Sequence, residues 1–134
     1  QLEDAPLPNV KLIRGDALLM LHDHLVADRL FADISILFPD PWPSDHNRRI
    51  LRESTLPLFA QFLSSLGTIR FASDVRDYAD SIRDLASQEQ WHLSVPPRGW
   101  RQHTRYEQKG LREGRQSTDL WLSRGQIESG RFRM

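Results

Sequence analysis

The sequence holds an acidic residue between two prolines, in the run Pro39-Asp40-Pro41. Proline fixes its own φ and restricts the residue before it, so the carboxylate of Asp40 is rigidly presented. The apolar run that precedes it, residues 34–38, predicts a strand, and open α/β sheets bind ligands just outside the carboxyl ends of their strands. Asp40 is therefore a candidate for chemistry, although the motif taken alone fits a tight turn with a solvated acid better.

Strand-like and helical patterns alternate along the chain. Predicted strands cover residues 10–14, 32–38, 68–72, 91–95 and 118–123, and predicted helices cover residues 17–25, 48–66 and 75–87. The second strand is predicted to be buried on both faces, and a Pro/Gly/Arg-rich loop of about twenty residues separates the last two strands. Pro57 is predicted at a first helical turn or a helix break, Gly67 at a helix end, and Asp74 at a helix N-cap.

This order predicts an α/β fold, with one domain over residues 1–124 and a flexible tail over residues 125–134. No apolar run approaches the ~20 residues that a membrane span requires, so we expect no membrane partner. The chain has no cysteine, which excludes disulfides and thiolate metal sites and fits a cytoplasmic location. His22 and His24 point to different sides of a helix and the other histidines have no companions at ligand spacing, so we expect no metal site.

Charge is unevenly distributed although the formal net charge is zero. Residues 1–90 hold 9 Lys and Arg against 14 Asp and Glu, whereas residues 91–134 hold 9 against 4. A basic C-terminal part on an acidic body can give an RNA a preferred side on which to bind. Ordinary surface charge explains the same distribution about equally well.

Four motifs occur in the order that they have in the tRNA (guanine-N7) methyltransferases. They are Arg14-Gly15-Asp16-Ala17, the segment around Asp40 at residues 37–43, Ala72-Ser73-Asp74, and Thr104-Arg105-Tyr106-Glu107-Gln108-Lys109-Gly110. The chain resembles the bacterial members of this family over residues 9–124. The resemblance implies a Rossmann-like class I methyltransferase fold. It also implies transfer of a methyl group from S-adenosylmethionine to guanine N7 of tRNA.

The resemblance also implies roles for individual residues. Asp40 corresponds to the active-site acid beside the cofactor, and Asp16 to an acid that contacts the adenine part of S-adenosylmethionine. Substrate-binding positions correspond to Ser44, Asp74, Thr104, Arg105, Tyr106 and Glu107. Asp74 or Glu107 can accept hydrogen bonds from the N1–H and N2–H₂ edge of guanine, and Tyr106 can stack on a base or pack in the protein. The predicted RNA contacts are His46, Arg48, Arg49, Lys109 and Arg112, with Arg115 as a further cation.

The chain departs from the family in two places. The basic run that usually follows the prolines is shorter by about two residues, Ser44 stands where a lysine is expected, and Asp45 adds a negative charge, so weaker or altered RNA binding is expected. No G-x-G turn precedes Asp16, and by resemblance the chain begins near the third strand of the fold, apparently lacking the first two. We therefore expect an unpaired apolar sheet edge, with possible self-association through it.

Three functions stay open from the sequence. The retained acids favour an enzyme, because a protein that only binds RNA has no reason to keep carboxylates beside a phosphate backbone. The shortened basic run and the missing G-x-G turn favour a diverged, non-catalytic module that binds RNA or a partner subunit. The shortened basic run alone allows a methyltransferase that acts on another substrate.

Overall fold

The computed structural model describes residues 8–24 and 30–124. The predicted tail lies outside these residues. Within them the elements follow one another in this order: α1 (Ala17–Leu19), a π-helix (Met20–His24), β1 (Phe31–Leu37), a 3₁₀ helix (His46–Arg48), α2 (Leu56–Gln61), β2 (Leu63–Ser73), α3 (Arg76–Gln88), β3 (His92–Ser94), α4 (Arg105–Arg112) and β4 (Thr118–Ser123).

The strands of the described residues form one mixed sheet in the order β1-β2-β4-β3. β1 pairs with β2 in parallel, and Leu37 lies opposite Ala72. β4 runs antiparallel to both β2 and β3, and Thr118 lies opposite Ser73. The carboxyl ends of β1 and β2 and the amino end of β4 therefore meet at one edge of the sheet, which is the edge where α/β proteins bind ligands. The α/β prediction is confirmed at this level.

The core lies between the sheet and α3. Every fully buried residue of α3 falls on one stripe at three- and four-residue spacing: Tyr78, Ala79, Ile82, Leu85 and Ala86. This stripe packs on alternate residues of the two central strands, namely Ile69, Phe71, Leu120 and Leu122. Burial of these side chains fixes β2 and β4, and so fixes the sheet edge described above.

Two predicted elements near the N-terminus differ in the structure. Residues 10–14 form no strand, and in the described part of the chain no strand lies beside them to complete a hydrogen-bonded ladder. The predicted helix is confirmed from Ala17 to His24, and Leu25 lies outside the described residues.

β1 is not buried on both faces, although the sequence predicted it to be. Only Ile36 is buried, because β1 pairs with β2 alone among the described strands.

The predicted helix over residues 48–66 is wrong. Its only α-helical part is α2, and β2 begins immediately afterwards at Leu63. Pro57 does lie in the first turn of α2, as predicted. Gly67 does not end a helix; it lies inside β2, where a Cβ atom would meet the carbonyl oxygen of Ala32 at 2.6 Å. A strand forms here because pairing with β1 and burial in the sheet stabilise it more than local helix propensity would stabilise a helix.

Two further predictions need correction near the candidate site. Asp74 does not cap α3, whose N-cap residue is Val75 without a side-chain hydrogen bond. The long loop before β4 contains a helix, α4, which Thr104 caps by accepting a hydrogen bond from the backbone N–H of Glu107 at 3.0 Å. The last two strands occur close to their predicted positions, as β3 and β4.

Candidate active site

Asp40 lies on a turn just beyond the carboxyl end of β1, and its side chain is exposed. The residues on either side of the Pro-Asp-Pro run, Phe38 and Trp42, both have positive φ, at 54° and 42°. Bulky residues rarely adopt this left-handed conformation, which costs of order 1–3 kcal/mol and is concentrated at functional sites. The backbone that carries Asp40 is therefore held in an unfavourable conformation by the surrounding contacts.

Two neighbouring arginines hold this turn. The guanidinium of Arg48 lies 3.9 Å from the centroid of the Trp42 ring, a cation–π contact. The Nε of Arg49 donates a hydrogen bond to the carbonyl oxygen of Pro41 at 2.5 Å. Trp42 therefore helps to hold the turn through its contact with Arg48.

Asp16 and Asp40 line the same open cleft, which has a volume of about 580 Å³. Asp16 is also the N-cap of α1: its Oδ1 accepts hydrogen bonds from the backbone N–H groups of Leu18 and Leu19 at 2.9 and 3.2 Å. The structure thus brings together the two acids that were predicted to contact the cofactor. They come from segments that are separated by β1 in the sequence.

The segment after the turn carries three exposed residues that were predicted to meet substrate or RNA: Ser44, His46 and Arg48. The Nε2 of His46 lies 3.3 Å from Oδ2 of Asp77 on α3. Arg49 differs from them, because its side chain is only 2% exposed. The expectation that Arg49 contacts RNA does not fit this burial.

Asp74 follows β2 and lies in a small cluster with Tyr106 and Arg115. Its Oδ2 accepts a hydrogen bond from Nε of Arg115 at 2.8 Å, and its Oδ1 accepts one from the hydroxyl of Tyr106 at 3.3 Å. The pKa of Tyr106 is raised, chiefly by desolvation of its hydroxyl and next by the hydrogen bond to Asp74. The hydroxyl therefore keeps its proton and remains a donor. Arg115 was predicted to meet phosphates, but it bridges Asp74 and Glu113 instead.

Glu107 is buried, and both of its oxygens have partners. Arg101 donates to Oε1 at 2.6 Å and to Oε2 at 3.2 Å, and the hydroxyl of Ser117 donates to Oε2 at 2.5 Å. Burial favours the neutral acid, but the hydrogen bonds from Arg101 and Ser117 outweigh it, so the pKa of Glu107 is lowered and the group is ionised. Arg101 also binds Asp119 at the start of β4.

Both clusters adjoin the Asp40 turn. The rings of Tyr106 and Phe38 are 5.4 Å apart, and the guanidinium of Arg101 lies 5.4 Å from the centroid of the Phe38 ring. Since Phe38 begins the turn, the structure gathers the acids of three separate motifs at one edge of the sheet. Three further residues that were predicted to contact substrate or RNA are exposed on α4: Arg105, Lys109 and Arg112.

Sequence reasoning missed the residues that join these groups, above all Arg101 and Asp119. Arg101 lies 18 residues from Asp119 and 6 from Glu107, and no residue spacing indicates that one guanidinium serves both carboxylates. The clustering of arginines near α4 is the only signal, and it indicates RNA contacts as readily as ion pairs. Within residues 8–24 and 30–124 no group of three or more metal-ligating side chains occurs, and no helix of this part is long and apolar enough to cross a membrane.

Comparison with known proteins identifies the class of protein to which this site belongs. Residues 1–120 match the model of a family described as "Putative methyltransferase". The chain belongs to this methyltransferase family.

Curated relatives show which kind of methyltransferase the chain resembles. The chain is 34% identical over 128 residues to the tRNA (guanine-N(7)-)-methyltransferase of Nitrosospira multiformis, with 90% of this chain and 55% of the relative covered. It is 35% identical to the proteins of the same name from Halorhodospira halophila and Azorhizobium caulinodans, which it covers to 54% and 57%. The predicted resemblance is confirmed. The chain spans about half the length of the curated relatives it matches.

Proposed function

We propose that this protein is a tRNA (guanine-N7) methyltransferase that uses S-adenosylmethionine and acts in the cytoplasm. The observation that carries the proposal is the exposed Asp40 on its rigid turn, with Asp16 in the same cleft and Tyr106 beside the start of the turn. The names of the relatives supply the substrate. We also infer that the described sheet belongs to a Rossmann-like class I methyltransferase fold, because β1, α2 and β2 form a parallel β-α-β unit followed by an antiparallel strand.

The donor set of the cleft fits the proposed cofactor. S-adenosylmethionine would supply the methyl group together with the positive charge that passes to guanine as the carbon–sulfur bond breaks. Asp16 and Asp40 line this cleft together with Arg48 and Arg52, and carboxylates beside guanidinium groups suit a ligand that carries hydroxyl and amino donors as well as a carboxylate. We assign Asp16 and Asp40 to holding it.

Guanine N7 needs no general base, because it attacks through a lone pair and loses no proton. What the protein must provide is alignment of N7 with the methyl group and stabilisation of the charge that develops on the base. Only interactions that are stronger in the transition state than in the ground state accelerate a reaction. Asp40 therefore lowers the barrier only if its carboxylate lies nearer to the guanine ring, which gains positive charge, than to the donor sulfur, which loses it. This requirement explains why the turn must be rigid.

Asp74 is the better of the two predicted acceptors for the guanine edge. Both oxygens of Glu107 are held by short hydrogen bonds from Arg101 and Ser117. Oδ1 of Asp74 has a longer bond, 3.3 Å, from the hydroxyl of Tyr106, whose side chain is half exposed. A guanine N–H donor can replace that hydroxyl at little cost while the base stacks on the Tyr106 ring.

Product analysis tests the proposal. The protein in its longest natural form is incubated with tRNA and a labelled methyl donor, and the nucleosides are separated after digestion. The expected product is 7-methylguanosine, and tRNA made with 7-deazaguanosine, which lacks the N7 lone pair, should accept no label. Label on any other nucleoside, or equal labelling of the 7-deaza tRNA, would contradict N7 chemistry.

The runner-up is a methyltransferase that acts on another substrate. It is favoured by the buried state of Arg49, which leaves fewer exposed cations after the turn than the sequence predicted. The same assay decides between the two, since labelling of a small purine substrate but not of tRNA would select the runner-up.

A further inference from the structure

Arg49 is almost completely buried, and all three nitrogens of its guanidinium group make hydrogen bonds. Arginine is almost never fully buried unless it is paired. Its ionic partner is Asp77 of α3, at 3.0 Å, but that carboxylate is 66% exposed. Burying a guanidinium against an exposed acid gains little stability, because desolvation of the cation offsets most of the attraction. The contacts of Arg49 therefore call for another explanation.

One guanidinium joins the Asp40 turn to α3. On the turn side, Nε donates to the carbonyl oxygen of Pro41, the residue directly after Asp40. On the helix side, Nη1 donates to Oγ of Ser81 at 3.4 Å and Nη2 to Oδ2 of Asp77. The guanidinium also lies 4.4 Å from the centroid of the buried Tyr78 ring. These contacts converge on a planar fork that only arginine offers.

We propose that Arg49 is a positioning residue that fixes the Asp40 turn against α3, and that it makes no contact with RNA phosphate. Pro41 has no backbone N–H, so its carbonyl oxygen is the one main-chain hydrogen-bonding group that the second proline of the turn provides. Holding that oxygen to a helix of the core fixes the orientation of the carboxylate beside it. The inference rests on the proposed function in that Asp40 is taken as the active-site acid.

The chain offers a matched pair of arginines for the test. Arg48 is exposed and faces solvent over the Trp42 ring, whereas its neighbour Arg49 is buried. Arg49→Lys keeps the positive charge but cannot reproduce the fork, and a misplacement of about 1 Å at an active site costs on the order of 100-fold in rate. We expect Arg49→Lys to lower kcat by roughly 10- to 100-fold, with KM for tRNA and its salt dependence unchanged. Arg48→Ala, which removes an exposed cation, should instead raise KM for tRNA and reduce the salt slope by about one unit.

A second readout does not depend on activity. Amide hydrogen exchange in the segment 42–49 reports on the turn, because the N–H groups of Asp45, Arg48 and Arg49 donate to backbone carbonyls within it. Exchange there should be faster in Arg49→Lys than in the wild type. Arg83→Lys is the control for a general loss of stability, because Arg83 pairs with Asp80 on the surface of α3 and its replacement should leave exchange in segment 42–49 close to that of the wild type.

The outcomes separate the inference from the proposed function. If the wild type forms 7-methylguanosine but Arg49→Lys keeps the wild-type kcat and exchange, the positioning role is wrong. A lower salt slope in Arg49→Lys would assign the residue to phosphate instead and equally overturn the inference. If the wild type methylates nothing, the proposed function fails, and the exchange experiment alone still decides whether Arg49 fixes the turn.

Discussion

Replacing Arg101 by methionine is the most informative test of how the site is held together. Arg101 is 11% exposed and lies between Glu107, which is 4% exposed, and Asp119, which is 18% exposed. Methionine matches the length of the aliphatic stem but leaves both carboxylates without their shared cation. The variant therefore isolates the charge and hydrogen bonds of one guanidinium.

The expected cost follows from burial. Breaking a buried ion pair by removing one partner costs about 3–5 kcal/mol, because the other charge stays desolvated. Asp119 retains the indole N–H of Trp100, at 2.8 Å, and Glu107 retains the hydroxyl of Ser117. We therefore expect a value at the low end, about 3 kcal/mol at neutral pH. Arg83→Met is the control, since Arg83 pairs with Asp80 on the surface and its loss should cost at most about 1 kcal/mol.

The cost of Arg101→Met should depend on pH. In the wild type the lowered pKa of Glu107 contributes stability above the unfolded pKa, and this contribution is lost as the pH falls through the folded pKa. Without Arg101, burial becomes the dominant influence, so the pKa of Glu107 should rise above its unfolded value, and stability should fall as the pH rises through the raised pKa. The second effect makes the cost of Arg101→Met larger at about pH 8 than at about pH 5, because the first acts only near and below the unfolded pKa.

Urea denaturation followed by tryptophan fluorescence measures these values, because Trp100 and Trp121 pack edge to face at 5.4 Å beside the network. If Arg101→Met cost no more than Arg83→Met at both pH values, Arg101 would not hold the acids together. A cost that was large but independent of pH would instead indicate lost packing and refute the electrostatic argument.

Three other substitutions have defined outcomes. Asp74→Asn should reduce the preference for guanine over hypoxanthine in competing tRNAs by roughly 10- to 100-fold, as loss of an acceptor for buried donors costs about 1–3 kcal/mol; an unchanged preference would exclude Asp74 from base selection. Tyr106→Ala should raise KM for tRNA by a similar factor through loss of about 1–3 kcal/mol of stacking, whereas Tyr106→Phe should keep KM within about threefold. Gly67→Ala should lower the free energy of unfolding by about 1–3 kcal/mol, because its Cβ would lie 2.6 Å from a carbonyl oxygen. Gly15→Ala, with no atom within 4 Å, is the matched control in thermal melts and should be nearly neutral.

The sequence predicted the parts of this structure that depend on local patterns. The strand that begins at Thr118 and the helix with its apolar stripe around Ile82 follow from periodicity. The resemblance assigned both Asp16 and Asp40 to the cofactor, and the structure places both in one cleft; the assignment itself stays a prediction. The strand and the helix form as predicted because local preference and tertiary packing favour the same structure.

Contacts between residues that are far apart in the sequence explain the predictions that were wrong. Residues 63–66 continue a helical pattern in the sequence, yet Leu63 lies opposite Phe31 in the parallel ladder, and burial in the sheet decides the outcome. Arg49 and Arg115 were predicted to bind RNA because exposed and buried arginines look alike in a sequence. Their partners, Asp77 and Asp74, are 28 and 41 residues away, so only the folded chain distinguishes an ion pair from a phosphate contact.

The central claim is that Asp40 is the acid that makes this site catalytic, and single-turnover methylation of tRNA by Asp40→Asn tests it most directly. Asp45→Asn is the matched control, because Asp45 is an exposed acid on the same segment and asparagine can replace it as a helix cap. Removal of a preorganised group that stabilises developing charge typically costs about 100- to 1,000-fold in rate. We predict a loss of this size in Asp40→Asn, with tRNA affinity unchanged and with Asp45→Asn close to the wild type. Equal rates in Asp40→Asn and the wild type would contradict the account.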